Sequence, residues 1–174
     1  MIEFFKKIIA FLNEEKIQYM LSGSVALSVY TLPRATRDFD FVAHIEPSDV
    51  NSFVNHFKEG SYCDEDSIRD AINNKSLFNI IDYDSGFKAD FVILKNEPFR
   101  QTEFSRRQKI DLYGFRVYIV SPEDLLISKL IWIQDYQSNI QMEDIQHLIA
   151  IETIDKPYIN NWIEHLKLKT FGLL

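Results

Sequence analysis

The chain has 174 residues, 46% of them hydrophobic and 14% aromatic, with a formal charge of −7 and a sequence pI of about 5.1. That much apolar material can build a sizeable core, which excludes a disordered chain, and the acidic balance argues against general adhesion to nucleic acid or to a membrane surface. The single cysteine, Cys63, excludes an internal disulfide and suits a reducing cytoplasm.

At the start, Ile2, Phe5, Ile8, Ile9 and Leu12 recur at helical spacing, while Glu3, Lys6, Lys7 and Asn13 interrupt the apolar run. This predicts an amphipathic helix and not a signal sequence, and no later stretch approaches the roughly 20 apolar residues that span a bilayer. A short strand is expected over Ile17–Leu21. Gly23-Ser24 then turns into a helix from Val25 to about Thr31, which Pro33 stops. Asp38–Ala43 reads as a strand, and Pro47-Ser48 opens a helix through Val50, Phe53, Val54 and Phe57 that Gly60 closes. The polar stretch Tyr62–Lys75 reads as a loop with a short helix. Leu77–Leu94 reads as two strands joined at Asp84-Ser85-Gly86. Residues 96–109 are polar and mixed, and Tyr113–Val120 offers another turn and strand. Ser121-Pro122-Glu123-Asp124 is a helix start, with a capping serine, a first-turn proline and acids at the positive end of the dipole. Helices are expected near 122–136, 141–152 and 156–168.

Aspartate is disfavoured in strands, yet Asp38 and Asp40 stand at i and i+2 among Phe39, Phe41 and Val42. At that spacing both point to one face, where they repel unless a cation neutralises them. Asp90 sits in a second apolar strand, and three converging carboxylates could hold two divalent ions about 3.5–4 Å apart. Gly23 allows close approach of a phosphate to the backbone, and the helix that follows offers N–H donors. Taken singly, each feature also has an ordinary structural use as a turn, a cap or a solvated acid.

The combination resembles the DNA polymerase β-type nucleotidyltransferase superfamily. Leu21-Ser22-Gly23-Ser24 is followed by thirteen residues, Val25 to Arg37, then by Asp38-Phe39-Asp40-Phe41, with Asp90 in Ala89-Asp90-Phe91 as the third acid. The stretch PRATRDFDF resembles the Arg-x-Thr-x-Asp-apolar-Asp run of the bacterial minimal and AbiEii-like branches. The segment from Ser121 to Ile149 resembles their lysine-bearing helix, and Ser138, Gln141 and Asp144 fit a Ser-x-x-Gln-x-x-Asp pattern. The likeness spans residues 17 to 150. It implies an α/β (α+β) fold, a nucleotidyltransferase-like mixed sheet flanked by helices, with residues 1–120 as the core and 121–174 as a C-terminal helical lobe packed on it. It implies Asp38, Asp40 and Asp90 as catalytic metal ligands for Mg²⁺ or Mn²⁺. Gly23, Ser24, Arg37, Lys129 and Asp144 become nucleotide contacts, with Lys129 a mobile point charge in the cleft.

The function so implied is metal-dependent transfer of a nucleoside monophosphate from an NTP to an acceptor hydroxyl, on an RNA or tRNA end or a protein. The AbiEii-like branch adds a toxin role with an antitoxin partner, in the cytoplasm and without a membrane. The stretch Gln134–Gln137 carries no arginine, where AbiEii-like toxins often place one. That departure points to the alternative, a binding or regulatory module with weak turnover. His44, His56, His147 and His165 show no zinc-ligand spacing and read as surface or packing residues. Trp132 reads as core. Arg100, Arg106, Arg107 and Lys109 read as a solvated face and as the best basic patch for an RNA or triphosphate.

Overall fold

The computed structural model describes residues 1–33 and 35–174; Arg34, the first residue of the Arg-x-Thr-x-Asp run, lies outside them. In chain order the elements are α1 (Ile2–Glu14), β1 (Gln18–Ser22), α2 (Gly23–Tyr30), β2 (Asp38–His44), a 3-10 turn (Pro47–Asp49), α3 (Val50–Phe57), β3 (Ser61–Tyr62), α4 (Glu65–Asn74), β4 (Leu77–Asp82), β5 (Lys88–Ile93), α5 (Pro98–Ser105), β6 (Gln108–Leu112), β7 (Phe115–Ile119), α6 (Pro122–Ile133), α7 (Asn139–Ile149) and α8 (Lys156–Leu166). The strands form one mixed sheet in the order β3-β4-β5-β2-β1-β7-β6, parallel at β2/β5 and β1/β7 and antiparallel elsewhere. The architecture is the expected mixed α/β sheet flanked by helices.

An aromatic ladder sets the register that matters. Phe41 on β2 lies opposite Phe91 on β5, which lies opposite Phe78 on β4, with ring centroids 5.2 and 5.1 Å apart. Phe5 and Phe11 from α1, with Phe53 and Phe57 from α3, press on this face and are almost fully buried. Because successive side chains alternate, Asp38, Asp40 and Val42 must take the other face, beside Lys88, Asp90 and Val92. A slip of one residue would bury the aspartates and expose the phenylalanines, so core packing itself positions the acids.

Several elements differ from the sequence expectation. The stretch read as a loop with a short helix holds the ten-residue α4, whose Asp64 cap accepts the Ser67 N–H at 2.8 Å while Ile68, Ala71 and Ile72 are buried. The polar segment 96–109 contains α5, held to the core by Phe99 and Phe104. It also leads into β6, an edge strand with no apolar alternation that pairs with β7. Helix α2 begins at Gly23, two residues before the expected start, and α3 ends at Phe57, short of Gly60. Among the described residues no helix is long and apolar enough to cross a membrane.

Candidate functional site

Strands β2 and β5 place four charged side chains in a two-by-two array, with Asp38 opposite Lys88 and Asp40 opposite Asp90. The Lys88 ammonium lies 2.8 Å from Asp90 Oδ2 and 3.9 Å from Asp38 Oδ1. Asp90 Oδ1 is buried without a hydrogen-bond partner. Burial, followed by the charge of Asp90, raises the Asp40 carboxyl above the usual carboxylate range; a hydrogen bond from the Ser24 backbone N–H partly offsets this. Among the described residues no three His, Cys, Asp or Glu side chains already enclose a common metal position. The Lys88 ammonium stands between Asp38 and Asp90 instead. An orphaned buried carboxylate oxygen opposite a carboxyl whose ionised form burial and a neighbouring charge disfavour is a donor set that fits a hard cation, and Asp38, Asp40 and Asp90 are the residues that could hold one.

The turn into α2 closes over this array. Ser22 lies opposite Asp40 in the β1/β2 register, and Gly23 follows at φ +61°. A Cβ on Gly23 would stand 1.8 Å from Asp40 Oδ2, inside van der Waals contact, so only glycine permits the approach. Gly23→Ala therefore combines a left-handed penalty of about 1–2 kcal/mol with displacement of Asp40. The expected outcome is a lowered melting temperature together with loss of nucleotide transfer. A variant that melts with the parent and keeps transfer would show that the close fit of turn on carboxylate is dispensable.

A cleft of about 370 Å³ opens beside Gly23, Ser24 and Asp40 and runs between the sheet and α5 and α6. Lys129 lines it, but not as a mobile surface charge. It is 5% exposed, and its ammonium donates to Gln141 Oε1 and Asp144 Oδ2, each at 2.8 Å. Asp144 is equally buried and stands behind the lysine outside the cleft lining. Arg37 is exposed and also lies outside the cleft lining; its carbonyl accepts the Lys88 backbone N–H at 3.1 Å.

The basic cluster is a solvated face only in part: Arg106 and Lys109 are exposed, whereas Arg100 and Arg107 are half-buried. Arg100 enters the cleft, where its Nη1 donates to Glu103 Oε2 at 2.9 Å and to Ser128 Oγ at 2.6 Å; Ser128 in turn donates to Glu103 Oε1 at 2.5 Å. Burial raises the Glu103 carboxyl, and Arg100 and Ser128 oppose the rise. Arg106 donates to the fully buried Asp124 at 3.0 Å and lies over Tyr158. Arg107 covers the rings of Phe104 and Tyr118. Trp132, expected in the core, is 51% exposed and lines the cleft.

Sequence reasoning missed Lys88, Lys95, Glu103 and Ser128. Lys88 carried a usable signal, since it alternates with Asp90 and must share its face. Glu103 and Ser128 are 25 residues apart and meet only because α5 packs on α6.

Solved structures share the fold. ANT(2″)-Ia in complex with adenylyl-2″-tobramycin matches with a TM-score of 0.64 at 11% identity, over 95% of this chain and 95% of that one. The lincosamide antibiotic adenylyltransferase LnuA, bound to lincomycin, matches with a TM-score of 0.56 at 13% identity, over 84% of this chain and 95% of that one. A putative nucleotidyltransferase from Thermotoga maritima matches with a TM-score of 0.55 at 13% identity, over 77% and 85%. At these identities the likeness is one of fold. No curated protein sequence matches the chain. The family model that matches spans residues 1–170, nearly the whole length, and the chain thus belongs to the family described as "Nucleotidyltransferase of unknown function (DUF6036)".

Proposed function

We propose that this chain moves a nucleoside monophosphate from an NTP to an acceptor hydroxyl and releases pyrophosphate. The observation that carries the reading is the opposed pair Asp40 and Asp90, of which Asp40 lies under the Gly23 turn and lines the cleft, in a member of a nucleotidyltransferase family. The acceptor oxygen attacks the α-phosphorus, and the bond from that phosphorus to the bridging oxygen of the leaving pyrophosphate breaks. The hydroxyl proton passes to the Asp90 carboxylate. Asp38, Asp40 and Asp90 would hold Mg²⁺ or Mn²⁺, which when bound would supply positive charge opposite the phosphates. The Ser24 N–H is spent on Asp40, so phosphate contact falls to the following amides of the first turn of α2. Lys129, paired with Asp144, lines the cleft wall, and its ammonium eases the ionisation of Asp40. On this reading residues 1–120 are the catalytic core and 121–174 the lobe that completes the cleft.

The lining favours a class of acceptor. Lys95, Arg100 and Lys129 outnumber Asp40 and Glu103, and Glu103 is already engaged by Arg100 and Ser128. Arg100 and Lys129 are themselves ion-paired, with Glu103 and Asp144, so a polycation would meet only Asp40 among the lining acids not already paired, whereas an anionic acceptor such as an RNA or tRNA end would meet Lys95 beside these pairs. The Arg-x-Thr-x-Asp run supports an AbiEii-like toxin in the cytoplasm, with an antitoxin as partner. The second reading, a binding module with weak turnover, draws on one observation: the Lys129 ammonium is engaged by Gln141 and Asp144.

The test is incubation with each labelled NTP, Mg²⁺ or Mn²⁺, and total RNA or cell lysate. Label is expected on RNA, in a metal-dependent manner, with pyrophosphate formed. Label on protein alone would replace the acceptor class. NTP binding without transfer to anything would favour the module.

A further inference from the structure

We propose that the Lys88 ammonium is a built-in counter-cation of the three-aspartate array, so that the site loads one divalent ion rather than two. The inference rests on the metal-dependent reading above and concerns how the chain's own charges set the stoichiometry.

The placement of Lys88 follows from the fold. It is two residues before Asp90 on β5, hence on the same face, and the β2/β5 register sets it opposite Asp38. Its ammonium therefore reaches a carboxylate along its own strand and another across the ladder, at 2.8 and 3.9 Å. The side chain is 35% exposed, so it is partly withdrawn from water, and Asp90 is less exposed still, at 18%. A lysine serving solubility alone would not be held over a carboxylate as little exposed as that of Asp90.

Charge then decides the count. Three carboxylates and one ammonium leave two negative charges, which a single divalent ion cancels. A second divalent ion would have to bind beside both the first ion and a fixed ammonium, in a partly buried place where like charges repel strongly. The sequence alone allowed two ions; the Lys88 ammonium stands within reach of both Asp38 and Asp90, where a second ion would have to compete with it. Asp38, Asp40 and the Asp90 Oδ1 that Lys88 leaves unpartnered would be the donors for the single ion.

Calorimetric titration of the nucleotide-free protein with Mg²⁺, repeated with Mn²⁺ and paired with thermal melts, tests this without reference to turnover. The parent is expected to bind one ion per chain. Lys88→Met, which keeps length and stem packing, is expected to bind two, or to bind the first about tenfold more tightly. Its metal-free melt should fall below the parent's and recover with Mg²⁺. Lys88→Arg keeps the charge and should stay with the parent in stoichiometry, which separates charge from packing if the methionine variant folds poorly. A parent that binds no divalent ion overturns the metal-dependent reading itself. A parent that binds one ion, with Lys88→Met unchanged in count and affinity, overturns the role of Lys88 alone. Two ions in the parent would do the same.

Discussion

Lys129→Ala is expected to lower the unfolding free energy by about 3–5 kcal/mol, the cost of breaking a buried ion pair from one side. For a chain of this length that corresponds to a fall of roughly 10 °C or more in melting temperature. The lysine and Asp144 are 5% and 4% exposed, and their contact is 2.8 Å. Alanine would leave the Asp144 carboxylate in a place without water and strip Gln141 Oε1 of a donor. This reverses what the sequence led one to expect, a mobile charge whose removal spares the fold. Replacing both partners together, Lys129→Met with Asp144→Leu, should recover much of the lost stability, because no unpaired charge remains. Nucleotide affinity separates the two uses of the residue. If the pair only braces α6 against α7, the double variant binds NTP like the parent; if the ammonium also serves phosphate, the double variant is stable and binds poorly. A single variant that melts within about 2 °C of the parent would mean that the pair contributes nothing.

What the sequence made legible was local in spacing. Gly23-Ser24, the alternation of Asp38 and Asp40, and Asp90 in an apolar strand are all short-range patterns, and strand periodicity places the acids without reference to anything distant. The aromatic residues on the opposite faces of those strands carry the same information in reverse. Lys129 was harder, because its surroundings depend on α7 folding back to bring Gln141 and Asp144 beside it. Helices α4 and α5 were under-read because few of their residues are apolar. Yet Ile68, Ala71 and Ile72 in α4 are spaced i, i+3 and i+4, which is the stripe a half-buried helix needs. β6 had no signal of its own, since an exposed edge strand takes its identity from its partner. The acids at the start of α6 illustrate the limit of one-dimensional reasoning. Glu123 and Asp124 suit the helix dipole, but Asp124 is fully buried and also accepts hydrogen bonds from Ser121, Arg106 and Tyr158. Those contacts tie α5, α6 and α8 together, and none of them could be read from the helix start.

Replacing Asp38 and Asp40 together by asparagine is expected to abolish transfer, by about 10²–10³-fold or more, while leaving the metal-free protein at least as stable as the parent at neutral pH. Asparagine keeps the shape, and its amide oxygen can still accept the Ser24 N–H. The stability half of this follows from proton linkage. The folded-state pKa of Asp40 lies above its unfolded value because burial and the Asp90 charge penalise the ionised form. The folded state therefore binds the proton more tightly than the unfolded one. The group's favourable contribution is full below the ordinary carboxylate range and is lost as pH rises through the elevated value. At neutral pH the parent bears the cost of an ionised Asp40, and the asparagine variant does not. The difference between the two melting curves should accordingly grow in favour of the variant as pH rises from about 4 toward neutrality, and then level off. Mg²⁺ reverses the order. An ion that binds the folded parent raises its stability by about 2.7 kcal/mol at a hundredfold excess over Kd, whereas the variant, lacking two of the three carboxylates, gains little. Thermal melts of both proteins from pH 4 to 8, with and without millimolar Mg²⁺, read both effects. An equal magnesium response in parent and variant would place the ion elsewhere in the molecule. Retained transfer would remove Asp38 and Asp40 from the chemistry.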